Sequence, residues 1–347
     1  MGATAVVYAA THRNGRRFAI KVLHPELSAV REFRTRFRHD AYLANAVGHP
    51  GATPIIDDHL AEDGSPFLVM ALLEGESLEA RLLRSVGGVP PAVALAVAHQ
   101  LLDVLMAAHG KGIVHCDIKP GNLFVTHEGE LKVLDFGLAR LYEEGGDARA
   151  GSGSVVGTPA FMAPEQARGE PIDARADLYS LGATLFTLLS GRFVHDGKPR
   201  SELMTLAATE PAPPLTSIAP DVPPMVCCIV DRALAFTVEN RWQSAARMRS
   251  AVASAYQRLT GEPEDLRAQL ASPVAEPPAP AMDPDSMAHW ASASTTLPAA
   301  GLASSIGHGA PRQPAPFGAA MVAKIVAGGV ALVHRVQAQA ARVARAR

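Results

Sequence analysis

A chain of 347 residues with 48% apolar and 19% charged side chains has the composition of a soluble globular protein, long enough for two domains or for one two-lobed domain with a tail. Its 32 basic and 34 acidic residues leave a formal charge of −2, which favours neither nucleic acid nor a membrane surface as a partner for the bulk of the chain. The three cysteines, Cys116, Cys227 and Cys228, form no C-x-x-C pair and no even framework; with no charged and then apolar leader at the N-terminus, a reducing cytoplasm is the expected compartment.

Taken in chain order, "ATAVVYAAT" and "RFAIKVL" are β-branched runs on either side of Asn14-Gly15, which predicts two antiparallel strands. From Arg31 to Val47 the apolar period changes to that of a helix, with Phe33, Phe37, Ala44 and Val47 on one stripe and Asp40 falling on it. "TPIID" and "FLVMALL" are further strands around an Asp-Gly turn. Leu95, Ala98, Leu102, Leu105 and His109 then mark a second helix, which Gly110 is expected to terminate. "NLFV" and "LKVLDFG" pair across "THEG", and "DLYSLGATLFTLLSG" is a helix buried on nearly every side. Cys227 and Cys228 lie in the apolar stretch "PPMVCCIVDRAL" and are expected to be small core residues. Beyond about Gly261 the composition becomes Pro, Ala and Ser, which predicts a disordered linker over 260–316. Over 317–347 a valine stripe with Lys324, Arg335, Arg342, Arg345 and Arg347 predicts a basic amphipathic helix, suited to a protein partner or a membrane surface.

Phosphoryl transfer asks for cations on the phosphates, oxygen ligands for a metal and a carboxylate beside the attacking hydroxyl. All occur here in a consistent order. "FAIK" puts Lys21 on a strand, "HCDIKPGN" puts Asp117, Lys119 and Asn122 on a loop, and "VLDFG", 13 residues after Asn122, puts Asp135 at a strand end. With "GTPAFMAPE" further on, the order resembles that of the eukaryotic-type protein kinases, and "KPGN" resembles the serine/threonine class. The resemblance covers 1–259 and implies an α+β fold of two lobes: a small N-terminal β-sheet lobe with one helix, about 1–75, and a larger mainly helical lobe, about 76–259.

Carried over residue by residue, the resemblance implies ATP and Mg²⁺ as cofactors and protein Ser/Thr hydroxyls as acceptors. Lys21 would hold the α- and β-phosphates, Asp117 would accept the proton of the substrate hydroxyl, and Lys119 would neutralise the transferring phosphate. Asn122 and Asp135 would hold Mg²⁺. Val7, Ala19 and Phe124 would enclose adenine, Met70 would stand behind it, and the backbone of Ala71 and Leu73 would bond its edge. Thr158 would sit against the catalytic loop, Glu165 would pair with Arg241, and Asp177 would accept backbone N–H groups from that loop.

This chain departs from the family pattern in four places. Gly2 fills the middle of a glycine-rich loop whose first glycine and preceding strand are absent, and Ala5 replaces its last glycine, so the natural start is expected to lie upstream. Asp40, 19 residues after Lys21, stands where a longer glutamate would pair with the lysine. Ala44 is small where a larger group packs on Phe136. Cys116 replaces the arginine that binds a phosphorylated activation loop, so phosphorylation at Ser152, Ser154 or Thr158 is not expected to be the main switch. The alternatives are a pseudokinase acting as a binding module, favoured by the incomplete loop, Asp40 and Ala44, and a small-molecule phosphotransferase, which would not be expected to carry Lys119-Pro120 or "GTPAFMAPE".

Overall fold

The computed structural model describes residues 5–85, 87–136, 140–141, 158–261, 266–271 and 332–333. They sort into two compact units: Met1–Tyr42, Pro54–Leu73 and Ser304–Arg347 form the first, Leu43–Thr53 and Glu74–Ala303 the second.

In the first unit, β1 (Ala5–His12) and β2 (Arg17–Leu23) form the expected antiparallel hairpin. Its turn is closed by His12 N–H to Arg16 O at 2.8 Å and Gly15 N–H to His12 O at 2.9 Å. A four-residue turn, α1 (Pro25–Ser28), leads into α2 (Arg31–Val47). The strands β3 (Ile55–Leu60) and β4 (Pro66–Ala71) follow, and β4 joins β2, giving the order β1-β2-β4-β3. Side chains alternate along each strand, so Ala5, Leu23 and Leu68 share one sheet face, where Phe37 and Ala41 of α2 cover them. Ile20, Val22 and Phe67 pack with Ala61 on the other. Burial of Phe37 alone contributes on the order of 1.5–3 kcal/mol, which is what fastens α2 to the sheet.

The second unit is mainly helical. The short strand β5 (Gly75–Ser77) leads into α3 (Leu78–Arg84), and α4 (Pro91–His109) is so apolar that it is buried on most of its circumference. Gly110 caps α4 in the right-handed region with φ −62, and the left-handed turn expected there is supplied by Gly112 with φ 69. The cause is local: Gly110 N–H still reaches Met106 O at 3.0 Å, and the chain tightens through Gly112 N–H to His109 O at 3.0 Å before it reverses.

After β6 (Ile113–Val114), β7 (Leu123–Thr126) and β8 (Leu131–Val133) form the second expected hairpin. Gln100 of α4 clamps it, donating to Gly129 O at 3.0 Å and accepting from Leu131 N–H at 2.9 Å. The residue pair β9 (Arg140–Leu141) lies antiparallel to β6. Next come α5 (Pro164–Ala167) and the buried helix α6 (Ala174–Ser190), then α7 (Arg200–Thr209), α8 (Leu215–Ile218), α9 (Pro224–Ala233) and α10 (Ala245–Thr260). In α9 Cys227 is buried but Cys228 is exposed, because consecutive helical residues lie about 100° apart and cannot both face the core.

The stretch expected to be linker departs from that expectation at its start, where α11 (Leu266–Ala271) is helical. Leu266 and Leu270, four apart, bury one stripe against α4, and a Cβ on Gly129 would stand 2.0 Å from Arg267 O, so the hairpin turn and the helix touch through backbone. The buried Arg81 of α3 ties this helix in, donating through Nη2 to Leu270 O at 3.0 Å and through Nε to Glu76 Oε1 at 2.9 Å. Of the helix expected over 317–347, the structure describes only β10 (Leu332–Val333), which is extended and lies antiparallel to the end of β1. There β1 offers open backbone groups on its outer side, and pairing satisfies them as a helix could not.

Candidate active site

The loop 115–122 is held from three sides. Asp177, in the otherwise apolar α6, is fully buried and accepts the backbone N–H of His115 and of Cys116, both at 2.9 Å. His109, at the end of α4, donates from Nε2 to the same carboxylate at 2.8 Å. Gln166 of α5 donates to Cys116 O at 2.8 Å. His115 accepts the Asp117 N–H on Nδ1 at 3.2 Å, so its proton sits on Nε2, which donates to Leu134 O at 3.2 Å. Its ring lies 4.7 Å from that of Phe136. The histidine is therefore a brace between the loop and the "DFG" segment.

Within this frame Asp117, Lys119, Asn122 and Thr158 come together. Lys119 Nζ lies 3.0 Å from Asp117 Oδ2 and donates to Thr158 Oγ1 at 2.7 Å, while the Thr158 hydroxyl donates to Asp117 Oδ1 at 2.8 Å. Asn122 Nδ2 donates to Asp117 Oδ2 at 3.0 Å and to Asp117 O at 2.9 Å. Both carboxylate oxygens are thus aimed by named donors, and the group is almost fully withdrawn from water. Asp135 is tied to this loop through backbone, Leu134 N–H to Asn122 O at 2.8 Å, and its own side chain is exposed.

Cys116 and Asp135 are the non-glycine residues with positive φ among the described residues, at 66 and 61. Such a conformation costs about 1–3 kcal/mol each and persists only where the surroundings dictate it. For Cys116 the surroundings are the bonds to Asp177 and Gln166 on its two peptide groups. The two strained residues flank the segments that carry Asp117 and Asn122 on one side and the Asp135 carboxylate on the other.

Asp177 gives the loop a pH signature. Burial by itself pushes its carboxyl up, but the hydrogen bond and charge of His109 and the His115 backbone N–H outweigh burial and hold it below the usual carboxylate range. Its contribution is complete above the unfolded value of about 3.8 and is lost as pH falls through the lower folded value. Asp177→Asn is expected to cost about 1–3 kcal/mol at neutral pH, because one buried N–H faces an amide NH₂. Urea midpoints at a series of pH values check this: the gap between wild type and variant narrows at the acid end, and a gap independent of pH would contradict it.

In the first unit the candidate nucleotide residues share one sheet face by register. Lys21 on β2 stands opposite Val7 on β1 and Leu68 on β4, and Ala19 stands opposite Ala9 and Met70. Lys21 Nζ lies 5.9 Å from the centre of the Phe37 ring. Asp40 follows Phe37 by three residues on α2 and is described in backbone only. Ala71 ends β4 and is exposed, Leu73 follows it half-buried, and Phe124 belongs to β7 of the second unit. Gly2, Ser152 and Ser154 lie outside the described residues.

Behind the loop, Glu165 and Arg241 form the ion pair that the resemblance implied, two parallel bonds of 2.7 Å each. Sequence reasoning missed His109 and Gln166. The only signal of the first was a histidine on an apolar helical stripe, where a helix-terminal cap accounts for it as well; Gln166 carried none.

Asn122 and Asp135 fit a hard cation. The Asn122 nitrogen is committed to Asp117, which leaves its amide oxygen as the ligating atom, and the Asp135 carboxylate is open to solvent. One carboxylate and one amide oxygen, completed by phosphate oxygens and water, form a donor set suited to Mg²⁺.

Comparison with known proteins identifies the family. A family model described as the protein kinase domain matches residues 1–251. The chain is 40% identical over 254 residues to the serine/threonine-protein kinase pkn2 of Myxococcus xanthus, covering 71% of this chain and 30% of that protein. It is 34% identical over 285 residues to PknB of Mycolicibacterium smegmatis, covering 80% of this chain and 45% of that protein. The chain thus spans less than half the length of these curated relatives. Among solved structures, the kinase domain of Mycobacterium tuberculosis PknI, crystallised as a double mutant, superposes with a TM-score of 0.58 at 26% identity, covering 74% of this chain and 92% of that one.

Proposed function

This chain belongs to the protein kinase family, and from that premise we propose that it is an active serine/threonine kinase, transferring the γ-phosphate of ATP to Ser or Thr hydroxyls of proteins. The observation that carries the reading is the Asp117 carboxylate, aimed from both sides by Lys119, Asn122 and Thr158 on a braced loop. The kinase relatives at 34–40% identity favour catalysis over a binding module.

In this reading the substrate hydroxyl binds beside Asp117 and gives up its proton to the carboxylate as its oxygen bonds to the γ-phosphorus and ADP departs. Lys119 turns from Asp117 and Thr158 toward the transferring phosphate, and Lys21 would hold the α- and β-phosphates. Asn122 and Asp135 would hold Mg²⁺, whose chemistry there would be to neutralise charge on the phosphate oxygens. Within the first unit Val7, Ala19 and Met70 would face the adenine ring, and Ala71 and Leu73 would bond it through backbone. Incubation with labelled ATP and Mg²⁺ tests the reading: label on protein that is lost in Asp117→Asn supports it, and no label on either protein opposes it.

The buried Cys116 bears on control. A thiol whose Sγ lies 3.5 Å from Val114 O makes no charge-assisted bond to a phosphate, whereas arginine at this position would. Alanine at both Ser152 and Ser154 is therefore expected to leave activity within about threefold of wild type. Kinetic comparison with enzyme shown by mass spectrometry to be phosphorylated there is the check, and a loss beyond tenfold would show that the loop is a switch after all.

A further inference from the structure

The hairpin of β7 and β8 joins the two residues assigned to the metal. Asn122 stands immediately before β7 and Asp135 two residues after β8, and Leu134 N–H to Asn122 O at 2.8 Å ties the open ends together. Strands of four and three residues hold no position by themselves, so where the ends lie depends on what grips the rest of the hairpin. Strand β5 pairs with β7, and Val133 of β8 is bonded to the 51–53 segment, through Val133 N–H to Gly51 O at 2.7 Å and Thr53 N–H to Val133 O at 3.1 Å. The turn is gripped by Gln100 of α4 and by α11.

The grip of α11 has three parts. Leu266 and Leu270 are buried on the side of α4. Arg267 pairs with Glu130 beside the turn, Nη2 to Oε1 at 3.1 Å, and its carbonyl lies so close over Gly129 that a Cβ there would stand 2.0 Å away. The third part is the buried Arg81, whose guanidinium cannot shed its charge: Nε donates to Glu76 of β5, Nη2 to Leu270 O, and Nη1 has no partner among the described residues. Without α11, two of its three nitrogens would lack protein acceptors, so docking of the helix satisfies a buried cation as well as an apolar face. Glu76 stands opposite Val125 of β7, and Arg81 thereby links α11 to the strand that borders the hairpin. A helix of six residues does not form alone in water, so α11 is helical only while docked.

We propose that α11 is a positioning element of the metal site: docked on α4 and the hairpin turn, it fixes the hairpin and with it the separation of Asn122 and Asp135. This rests on the kinase reading above and adds to it Arg81, Leu270 and Arg267, positioning residues that act through the hairpin. Undocking frees the turn, and the two metal ligands then spread over a range of separations instead of holding one. A hard cation that needs oxygen donors at fixed distances loses affinity when its ligands are no longer held.

The test uses the full chain and two readouts besides activity. Binding of Mn²⁺ in the presence of ATP is followed by electron paramagnetic resonance, since Mn²⁺ accepts the same oxygen ligands, and amide hydrogen exchange is followed at Leu134. Leu270→Asp puts a charge into the seat of α11 and is expected to weaken Mn²⁺ binding about tenfold, the scale of losing an outer partner of a metal site, and to speed exchange at Leu134 about tenfold. KM for a peptide substrate should stay within about twofold. Leu270→Met keeps the seat apolar and should behave as wild type, whereas Arg81→Met, which removes the tie to Leu270 O and leaves Glu76 to Arg84, should show part of the loss. Arg81→Met also carries the test should Leu270→Asp not fold. The control is Val226→Ala, a core truncation in α9 that lowers Tm without touching α11 and should leave both readouts unchanged. Unaltered Mn²⁺ binding in Leu270→Asp and Arg81→Met, or an equal weakening in Val226→Ala at the same fall in Tm, overturns the inference, while phosphate transfer by wild type keeps the kinase reading standing. Wild type that binds Mn²⁺ and ATP but transfers no phosphate overturns the kinase reading, and weaker binding in Leu270→Asp still supports the positioning role of α11.

Discussion

Asp117→Asn is expected to lower kcat for phosphoryl transfer by roughly 10²- to 10⁴-fold, the usual range for removing a positioned general base, with KM for ATP changed by less than about threefold. The split follows from where Asp117 sits. Its oxygens bond to Lys119, Asn122 and Thr158 within the second unit, and the residues assigned to adenine and to the α- and β-phosphates are others. Asparagine keeps the shape but has no oxygen basic enough to take a proton, and its NH₂ confronts Lys119 Nζ or the Asn122 amide, both of them donors. Some of the loss will come from that mismatch, so thermal stability must be measured alongside. Steady-state kinetics on one peptide substrate decide the matter: if kcat survives within tenfold in a stably folded variant, Asp117 is not the base.

The parts of this site that could be read in the chain are those that a short segment carries whole. Asp117, Lys119 and Asn122 lie within six residues, so their meeting needs only one turn, the Pro120–Asn122 3₁₀ turn. Asp177 was legible for a different reason: a carboxylate in an apolar helix demands donors, and the structure supplies two backbone N–H groups. His109 reaches the same carboxylate from 68 positions away, and no local pattern distinguishes such a histidine from a helix-end cap. The helices and hairpins between 5 and 261 follow periodicity and turn chemistry closely. Helix α11 was lost because its one apolar pair, Leu266 and Leu270, is diluted by the Pro, Ala and Ser around it, and its stability comes from α4 and Arg81 rather than from its own sequence.

The second large effect belongs to Arg241, which is fully buried and has every N–H committed. Nη1 and Nη2 bond Glu165 at 2.7 Å each, Nε bonds Ala235 O at 2.8 Å, and Phe236 O and Arg175 O lie at 3.2 and 3.4 Å. The guanidinium also lies 4.9 Å from the centre of the Tyr179 ring, whose phenol burial pushes up to about 12, so that ring stays neutral. Removing one partner strands the other as a buried charge, and Arg241→Ala is therefore expected to destabilise the second unit by about 3–5 kcal/mol, with a fall in Tm of roughly 6–20 °C. Arg241→Lys should recover little, since an ammonium cannot make two parallel bonds and leaves backbone carbonyls unmatched. Glu165→Leu combined with Arg241→Met removes both charges together and should be less damaging than either single change, because the desolvation cost disappears with the attraction. The pair also joins α5, which carries Gln166 and through it the Cys116 carbonyl, to the segment before α10. Activity in the double variant should consequently drop further than its stability does, since a neutral core restores packing without restoring the anchor that places Gln166 against the catalytic loop. Equal recovery of stability and activity would show that Glu165 and Arg241 serve the fold alone.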